Sequence, residues 1–302
     1  MKKNDFLTIM DLESNKLMDI IIRASKLKKG QDSSLCPLIG KSVGLIFEKS
    51  STRTRVSFEV GIYQLGGQPV TLKTDDIQMG RGETVADTAR TLSRYLSAVA
   101  IRTFEQERLE EFASNATIPV INALTDQHHP CQALADLLTI YEKKGALKGI
   151  RMAYVGDGNN VANSLIEAAS RTGMELALAC PEGYGPDMDV LDRATKEASA
   201  PISVINDPET AVKDADVIYT DVWVSMGQEE EKQKRIRDFK GYQVNSQLLR
   251  LAKPDAVVMH CLPAYRGLEI SEEVMESPAS VVFDQAENRL HAQKSLLEHM
   301  LS

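Results

Sequence analysis

Cysteine is scarce: the 302 residues hold four, Cys36, Cys131, Cys180 and Cys261, and no two are close enough for a Cys-x-x-Cys pair. That spacing argues against a zinc knuckle or a thioredoxin-like motif, and scattered free thiols suit a reducing, cytoplasmic setting. A basic excess is also lacking, because Lys plus Arg is 35 against 43 for Asp plus Glu, a formal net charge of -8. This argues against non-specific nucleic-acid binding, which depends on neutralising phosphates. It does not exclude a small anionic ligand, since a local cluster of arginines can oppose the global sign. No apolar run approaches 18 residues, and the opening MKKNDFLTIMDLES carries two lysines with no apolar stretch after them. Neither a membrane span nor a signal peptide is expected. There is no low-complexity tract, and no internal repeat beyond an alternation of strand and helix patterns.

Hydrophobic residues make up 43% and charged residues 26%, ordinary values for a globular chain and too apolar for a disordered one. The length suits two domains, with core enough to dispense with disulfides or metal staples. Short β-rich runs are expected at Val43–Phe47, Pro69–Lys73, Ala98–Thr103 and Pro119–Leu124, then at Arg151–Gly156, Glu175–Cys180, Pro201–Asn206, Asp216–Val222, Ala256–His260 and Ser280–Asp284. Helical spacing fills the gaps: Val85, Ala89, Leu92 and Leu96 form one stripe, and Val56, Val60 and Tyr63 another. Pro130–Tyr141 reads as a helix with proline in its first turn, and Ala286–Leu301 as a final helix. Gln228–Lys240 reads as a charged, exposed loop. The alternation predicts an α/β fold of two domains, each a parallel sheet flanked by helices. The break KKGALKG, Lys143–Gly149, sets the boundary: domains 1–145 and 146–284, followed by a C-terminal helix, 285–302.

Six segments could carry chemistry. Ser50–Arg55, SSTRTR, lies at a strand-to-helix turn, where free N–H groups, hydroxyls and arginine forks suit a phosphate; a capped helix with solvated arginines fits equally. Thr125–Gln132, TDQHHPCQ, offers His129 for hydrogen bonding or proton transfer, or as a helix cap; neighbouring His128 is left as structural. Arg102 ends an apolar strand and points to the ligand-binding rim, or pairs on the surface with Glu105 or Glu107. Met259–Gly267, MHCLPAYRG, places Cys261 at a strand terminus as nucleophile, hydrogen-bonding group or packing thiol. In Tyr219–Glu231, Asp221 could hold an ammonium and the Ser225–Gly227 turn a carboxylate. Val155–Ser164, VGDGNNVANS, has Gly156 and Gly158 of a dinucleotide fingerprint, with Glu182 placed like a ribose-binding acid. The third glycine is replaced by Val161, and a tight turn presenting Asn160 is an adequate alternative. All six follow the carboxyl ends of expected parallel strands, the edge where open α/β sheets bind ligands. The first-half set prefers an anion and the second-half set an amino acid, so an inter-domain cleft holding two substrates is expected.

Phe47–Arg55 (FEKSSTRTR), His129–Gln132 (HPCQ) and His260–Pro263 (HCLP) together resemble the carbamoyltransferase family. Asp221–Gly227 (DVWVSMG) and the HCLP form resemble its ornithine branch rather than its aspartate branch. The resemblance implies transfer of a carbamoyl group from carbamoyl phosphate to the δ-amino group of ornithine, giving citrulline and phosphate, as in arginine biosynthesis, with no cofactor and no metal. By motif it implies that Ser51, Thr52, Arg53 and Thr54 bind phosphate and that Arg102 bridges phosphate and carbonyl oxygen. His129 and Gln132 would contact the carbamoyl group, helped by Cys261, Leu262 and Arg289, while Gln78 would reach a neighbouring subunit's site. Asn160, Asp221, Ser225 and Met226 match ornithine-binding positions. A homo-oligomer is implied, a trimer or a multiple of trimers with sites at subunit interfaces. Competing readings are a carbamoyltransferase acting on putrescine or a modified ornithine, a catalytically silent binding homologue, and a nicotinamide-dependent dehydrogenase.

Overall fold

The computed structural model describes residues 3–31, 36–49, 51–73, 82–224 and 229–301. The chain divides into two compact units, Met1–Leu138 with Glu287–Ser302, and Thr139–Ala286.

The first unit contains α1 (Ser14–Lys28), β1 (Ser42–Phe47), α2 (Thr52–Gln64), β2 (Gln68–Lys73), α3 (Val85–Leu92), β3 (Ala98–Arg102), α4 (Gln106–Asn115), β4 (Val120–Leu124) and the start of α5 (Pro130–Lys144). Among the described residues its strands lie in the order β2-β1-β3-β4, all parallel. Strand β3 is buried throughout and β1 along its middle, as strands covered on both faces must be. One core cluster joins Ile46, Val99, Ile101 and Val120 of the sheet to Ala89, Leu109 and Phe112 of α3 and α4. The chain leaves β1 toward one edge of the sheet and returns past it to β3, so the order reverses between these strands. Phe47 and Arg102, at their carboxyl ends, stand in register across that reversal.

Helix α2 forms as expected but presents a different face. Val56 and Tyr63 are 45% and 76% exposed, while Thr54, Phe58, Gly61 and Ile62 are buried. The reason is the last helix of the chain. A Cβ on Gly61 would stand 3.2 Å from Lys294 Cγ and 3.4 Å from Leu290 Cδ1, so this glycine admits the close approach. The same helix is tied to α1, where Ser295 Oγ donates to the Ile20 carbonyl at 2.8 Å and Arg23 grips Glu298 with bonds of 2.7 and 2.9 Å.

The second unit contains the end of α5, β5 (Arg151–Val155), α6 (Asn160–Thr172), β6 (Glu175–Ala179), α7 (Met188–Glu197), β7 (Ile202–Ile205), α8 (Pro208–Val212), β8 (Val217–Thr220), α9 (Lys232–Asp238), α10 (Ser246–Leu249), β9 (Val257–His260), α11 (Glu272–Met275) and the start of α12 (Val282–Leu301). Its strands run parallel in the order β7-β6-β5-β8-β9. Here the order reverses between β5 and β8, with Val155 opposite Thr220. The fold is therefore α/β, two parallel sheets flanked by helices. Among the described residues no helix is long and apolar enough to cross a membrane.

Two expectations need correction. Ser280–Asp284 is not a strand: Ser280 forms an isolated bridge to Val258, and α12 begins at Val282. Nor is Gln228–Lys240 a loop throughout, because α9 occupies Lys232–Asp238 and Arg235 is buried. Its guanidinium pairs with Asp157 at 2.7 Å and lies 5.0 Å from the Tyr184 ring centroid, which draws one member of a charged run inward.

Phe58 is fully buried on α2. Phe58→Ala is expected to destabilise the first unit by about 3–5 kcal/mol, the usual cost of truncating a buried aromatic, read as an earlier urea-unfolding midpoint. An unmoved midpoint would contradict the observed face of this helix.

Candidate active site

In the first unit, residues at and beside the switch point gather positive charge. The strand β1 ends and the chain turns through Glu48 into α2, whose N-cap Ser51 accepts a hydrogen bond from the Thr54 N–H at 3.3 Å. Beside it, β3 ends on Arg102, which is only 6% exposed and so does not lie on the surface. Glu48 helps to hold this edge: its N–H donates to the Arg102 carbonyl at 2.9 Å, and its carboxylate accepts from Thr103 Oγ1 and, at 2.8 Å, from Arg108. After β4, a tight turn delivers His129 to the start of α5. Thr125 Oγ1 accepts from the His128 N–H at 3.0 Å and donates to Gln106 Oε1 at 2.9 Å, so His128 serves the turn.

Arg289, 3% exposed on α12, completes the group. It donates to Gln132 Oε1, to Thr54 Oγ1 at 2.9 Å, and lies 3.4 Å from His129 Nε2. A guanidinium only donates, so in that contact Nε2 accepts and a neutral ring carries its proton on Nδ1. The pKa of His129 is held well below 6.5, first by burial and then by the charges of Arg289, Arg102 and Arg53. At neutral pH the site is thus a neutral imidazole within reach of three guanidinium groups. Thr52 and Arg53 remain exposed in the first turn of α2. The whole suits an anion whose charge the arginines balance, beside a helix N-terminus and an imidazole donor.

The second unit builds a site of opposite character at the β5–β8 switch point. Asp221 follows β8 and is nearly buried. One carboxylate oxygen accepts from Asn159 Nδ2 at 2.8 Å; the other accepts from the Val222 N–H at 2.8 Å and from the Cys261 thiol at 3.0 Å. Asn160 opens α6, and Asn159 caps it by accepting from the N–H groups of Val161 and Ala162. Leu262, after β9, takes the left-handed backbone at φ +58°, which costs roughly 1–2 kcal/mol for a residue with a Cβ. Its N–H donates to His260 Nδ1 at 2.8 Å, and the other ring nitrogen meets Glu269 Oε1 at 3.1 Å. The donor atoms of Asp221, His260 and Cys261 lie within 4.8 Å of one another. Both nitrogens of His260 are already engaged, so a metal ligated through that ring would have to displace one of these bonds.

The dinucleotide reading fails on geometry. A Cβ on Gly158 would stand 2.2 Å from the Gly185 carbonyl carbon, and the Gly158 N–H donates to the Tyr184 carbonyl at 2.8 Å. Backbone of the neighbouring loop thus fills the space where a pyrophosphate would approach the glycines, and Asn159 takes up N–H groups of the helix start. Asp157, in the same turn, is pushed up to about 6 by burial despite its bond to Arg235.

Of the residues singled out from sequence, Thr54, Arg102, His129, Gln132 and Arg289 come together in the first unit, with Ser51, Thr52 and Arg53 at the adjoining helix start. Asn160, Asp221, Cys261 and Leu262 flank the carboxyl edge of the second sheet. Gln78, Ser225 and Met226 lie outside the described residues. Asp136, Asn159, Glu269 and the Asp157–Arg235 pair went unnoticed. Only Asn159 left a signal, as a cap residue just before a helical pattern.

Residues 4–142 match the family description "aspartate/ornithine carbamoyltransferase, carbamoyl-P binding domain", and residues 148–300 match its "Asp/Orn binding domain". The ornithine carbamoyltransferase of Syntrophus aciditrophicus (strain SB) is 57% identical over 301 residues, 99% of this chain and 100% of that relative. Among solved structures, ornithine carbamoyltransferase from Pyrococcus furiosus is 50% identical with a TM-score of 0.93, covering 97% of this chain and 96% of the other. Anabolic ornithine carbamoyltransferase from Campylobacter jejuni is 41% identical with a TM-score of 0.94, covering 98% of both. With full-length identity at this level, the chain belongs to the aspartate/ornithine carbamoyltransferase family.

The depressed pKa of His129 sets a pH dependence. The unfolded chain takes up a proton near pH 6.5 that the folded site refuses, so this residue's share of stability is complete above that pH and lost as pH falls below it. In phosphate-free buffer, His129→Gln is expected to flatten the fall in urea midpoint between about pH 7 and about pH 5. Parallel curves for wild type and variant would show that the imidazole is not held neutral.

Proposed function

We propose that this chain is an ornithine carbamoyltransferase, moving the carbamoyl group of carbamoyl phosphate to the δ-amino group of L-ornithine to give L-citrulline and phosphate. The observation that carries the reading is the buried cluster in which Arg289 meets Thr54, Gln132 and His129; burial and the charges of Arg289, Arg102 and Arg53 hold that imidazole neutral. The match of each half to a family domain named for its substrate supports the same reading. Residues 1–145 are assigned to carbamoyl phosphate, 146–284 to ornithine and 285–302 to the returning helix that supplies Arg289. Names of relatives across the whole chain favour ornithine over putrescine. The reading places the chain in the cytoplasm, in arginine biosynthesis.

The chemistry follows from these groups. The δ-amine attacks the carbamoyl carbon, the carbonyl oxygen gains charge, and the carbon–oxygen bond to phosphate breaks. Ser51, Thr52, Arg53 and Thr54 hold the phosphate, whose leaving charge the arginines offset. Arg102, Thr54 and His129 stabilise the developing oxyanion, usually the largest catalytic contribution. Gln132, Leu262 and Arg289 fix the carbamoyl group, and Asn160, Asp221, Ser225 and Met226 the amino acid. Holding two reactants in attacking geometry supplies much of the remaining acceleration. The amine must attack as the free base; the departing phosphate, or Cys261 once its thiol proton has passed to Asp221, would take its proton.

A colorimetric citrulline assay tests this reading, and turnover of putrescine equal to or better than ornithine would overturn it. Arg102→Ala removes charge-assisted hydrogen bonds worth about 1.5–3 kcal/mol each, so kcat/KM should fall at least about tenfold. Asp221→Asn should raise the KM for ornithine and leave carbamoyl phosphate affinity nearly intact. The reverse pattern would refute the division of substrates between the two sites.

The reading also takes the protein as a homotrimer or a multiple of trimers, with Gln78 reaching a neighbouring site. The exposed Val56, Val60 and Tyr63 stripe is an apolar face that assembly would cover. Sedimentation equilibrium should return about three times, or a multiple of three times, the chain mass of 33.3 kDa; a monomer would refute it.

A further inference from the structure

Behind the arginine cluster lies a carboxylate with no place in the chemistry above. Asp136 is fully buried on α5, one turn after Gln132. Gln132 Nε2 donates to Asp136 Oδ1 at 2.8 Å, while Gln132 Oε1 accepts from Arg289 Nη1. Arg289 in turn donates from Nη2 to Thr54 Oγ1 at 2.9 Å. All four residues are buried. The direction of these bonds is forced. A carboxylate only accepts and a guanidinium only donates, so an amide between them must face its nitrogen toward one and its oxygen toward the other.

We propose that Asp136 is a positioning residue for the anion site: through Gln132 it sets the direction of the bonds that hold Arg289 against Thr54. This deepens the reading of Arg289 and Thr54 as ligands of carbamoyl phosphate and rests on it. Without the carboxylate, Gln132 Nε2 loses its buried acceptor and only the guanidinium still directs the amide, so Gln132 is held less firmly against Arg289. Arg289 then has a less firmly held acceptor in a buried place, beside a His129 that also feels the charges of Arg102 and Arg53.

The experiment uses inorganic phosphate as the probe, because it lacks the carbamoyl group that Gln132 is read to touch. Any effect of residue 132 on phosphate must then travel through Arg289. Full-length wild type, Asp136→Asn, Gln132→Met and the double variant are titrated with phosphate by calorimetry, and steady-state constants are taken for both substrates. Each single variant is expected to weaken phosphate at least tenfold and to raise the KM for carbamoyl phosphate, with the KM for ornithine within twofold. In the Gln132→Met background, Asp136→Asn should add less than twofold. Equal losses in both backgrounds would overturn the proposal, as would phosphate affinity unchanged in either single variant, or a parallel loss for both substrates. Should Asp136→Asn fail to fold, Gln132→Met alone decides, since retained phosphate affinity in that variant breaks the relay. Wild type that binds phosphate but makes no citrulline would defeat the activity and not the relay. Wild type that makes citrulline with both variants unimpaired would defeat the relay alone.

Discussion

Concentrated positive charge with little water around it is the constraint on which the first unit depends. Arg102 and Arg289 are nearly buried, Arg53 stands close by, and all three press on His129. Guanidinium groups cannot shed their charge, so the structure must satisfy them by hydrogen bonds, by a neutral imidazole and by carboxylates held nearby. Thr54 and Gln132 accept from Arg289, and Glu48 ties the strand carrying Arg102 to Arg108; burial and the arginine charges favour the neutral form of His129. A cluster of this kind suits an anion.

The sheet explains why this cluster stands where it does. In a parallel sheet every strand ends on the same edge, and the reversal of strand order opens a crevice there. In the first unit the reversal lies between β1 and β3, with Phe47 and Arg102 in register. In the second it lies between β5 and β8, and the turns after those strands bring Asn159 to Asp221. One architecture thus makes two edges of opposite sign, arginine-rich in one unit and carboxylate-centred in the other. A phosphate and an ammonium group call for these two signs.

Most strands were legible because a strand covered on both faces must be continuously apolar, and runs such as Val43–Phe47 and Ala98–Thr103 have few other uses. The start of α2 was legible because hydroxyls at a strand-to-helix turn cap helices. The buried face of α2 was not legible, since it contains Thr54 and Gly61, a hydroxyl turned to a buried arginine and a glycine that makes room for α12. Apolar counting favours Val56 and Tyr63 there. Arg235 was hidden for the opposite reason. A basic residue in an acidic and basic run looks solvated, and only its contacts with Asp157 and Tyr184 draw it inward. The two glycines after β5 suggested a nucleotide, and what decides against it is the Gly185–Pro186 backbone, supplied from beyond the next strand.

The residues that sequence reading passed over share a physical trait: they touch other protein groups and set their direction. Asn159 caps α6 with its oxygen and holds Asp221 with its nitrogen. Glu269 meets the ring of His260, whose other nitrogen accepts from Leu262 in its left-handed conformation. Asp136 does the same for Gln132. In each case a group with both donor and acceptor ends sits between partners that can each use only one end, so one hydrogen-bond orientation survives. Such directionality leaves no periodic trace in a sequence, because a buried polar residue on a helix resembles a solvated one until its partners are known. It nevertheless decides how well the groups that face substrate are aimed. A loosely held arginine spreads its charge over many positions, whereas one fixed by an acceptor on each arm spends little further entropy when the anion binds.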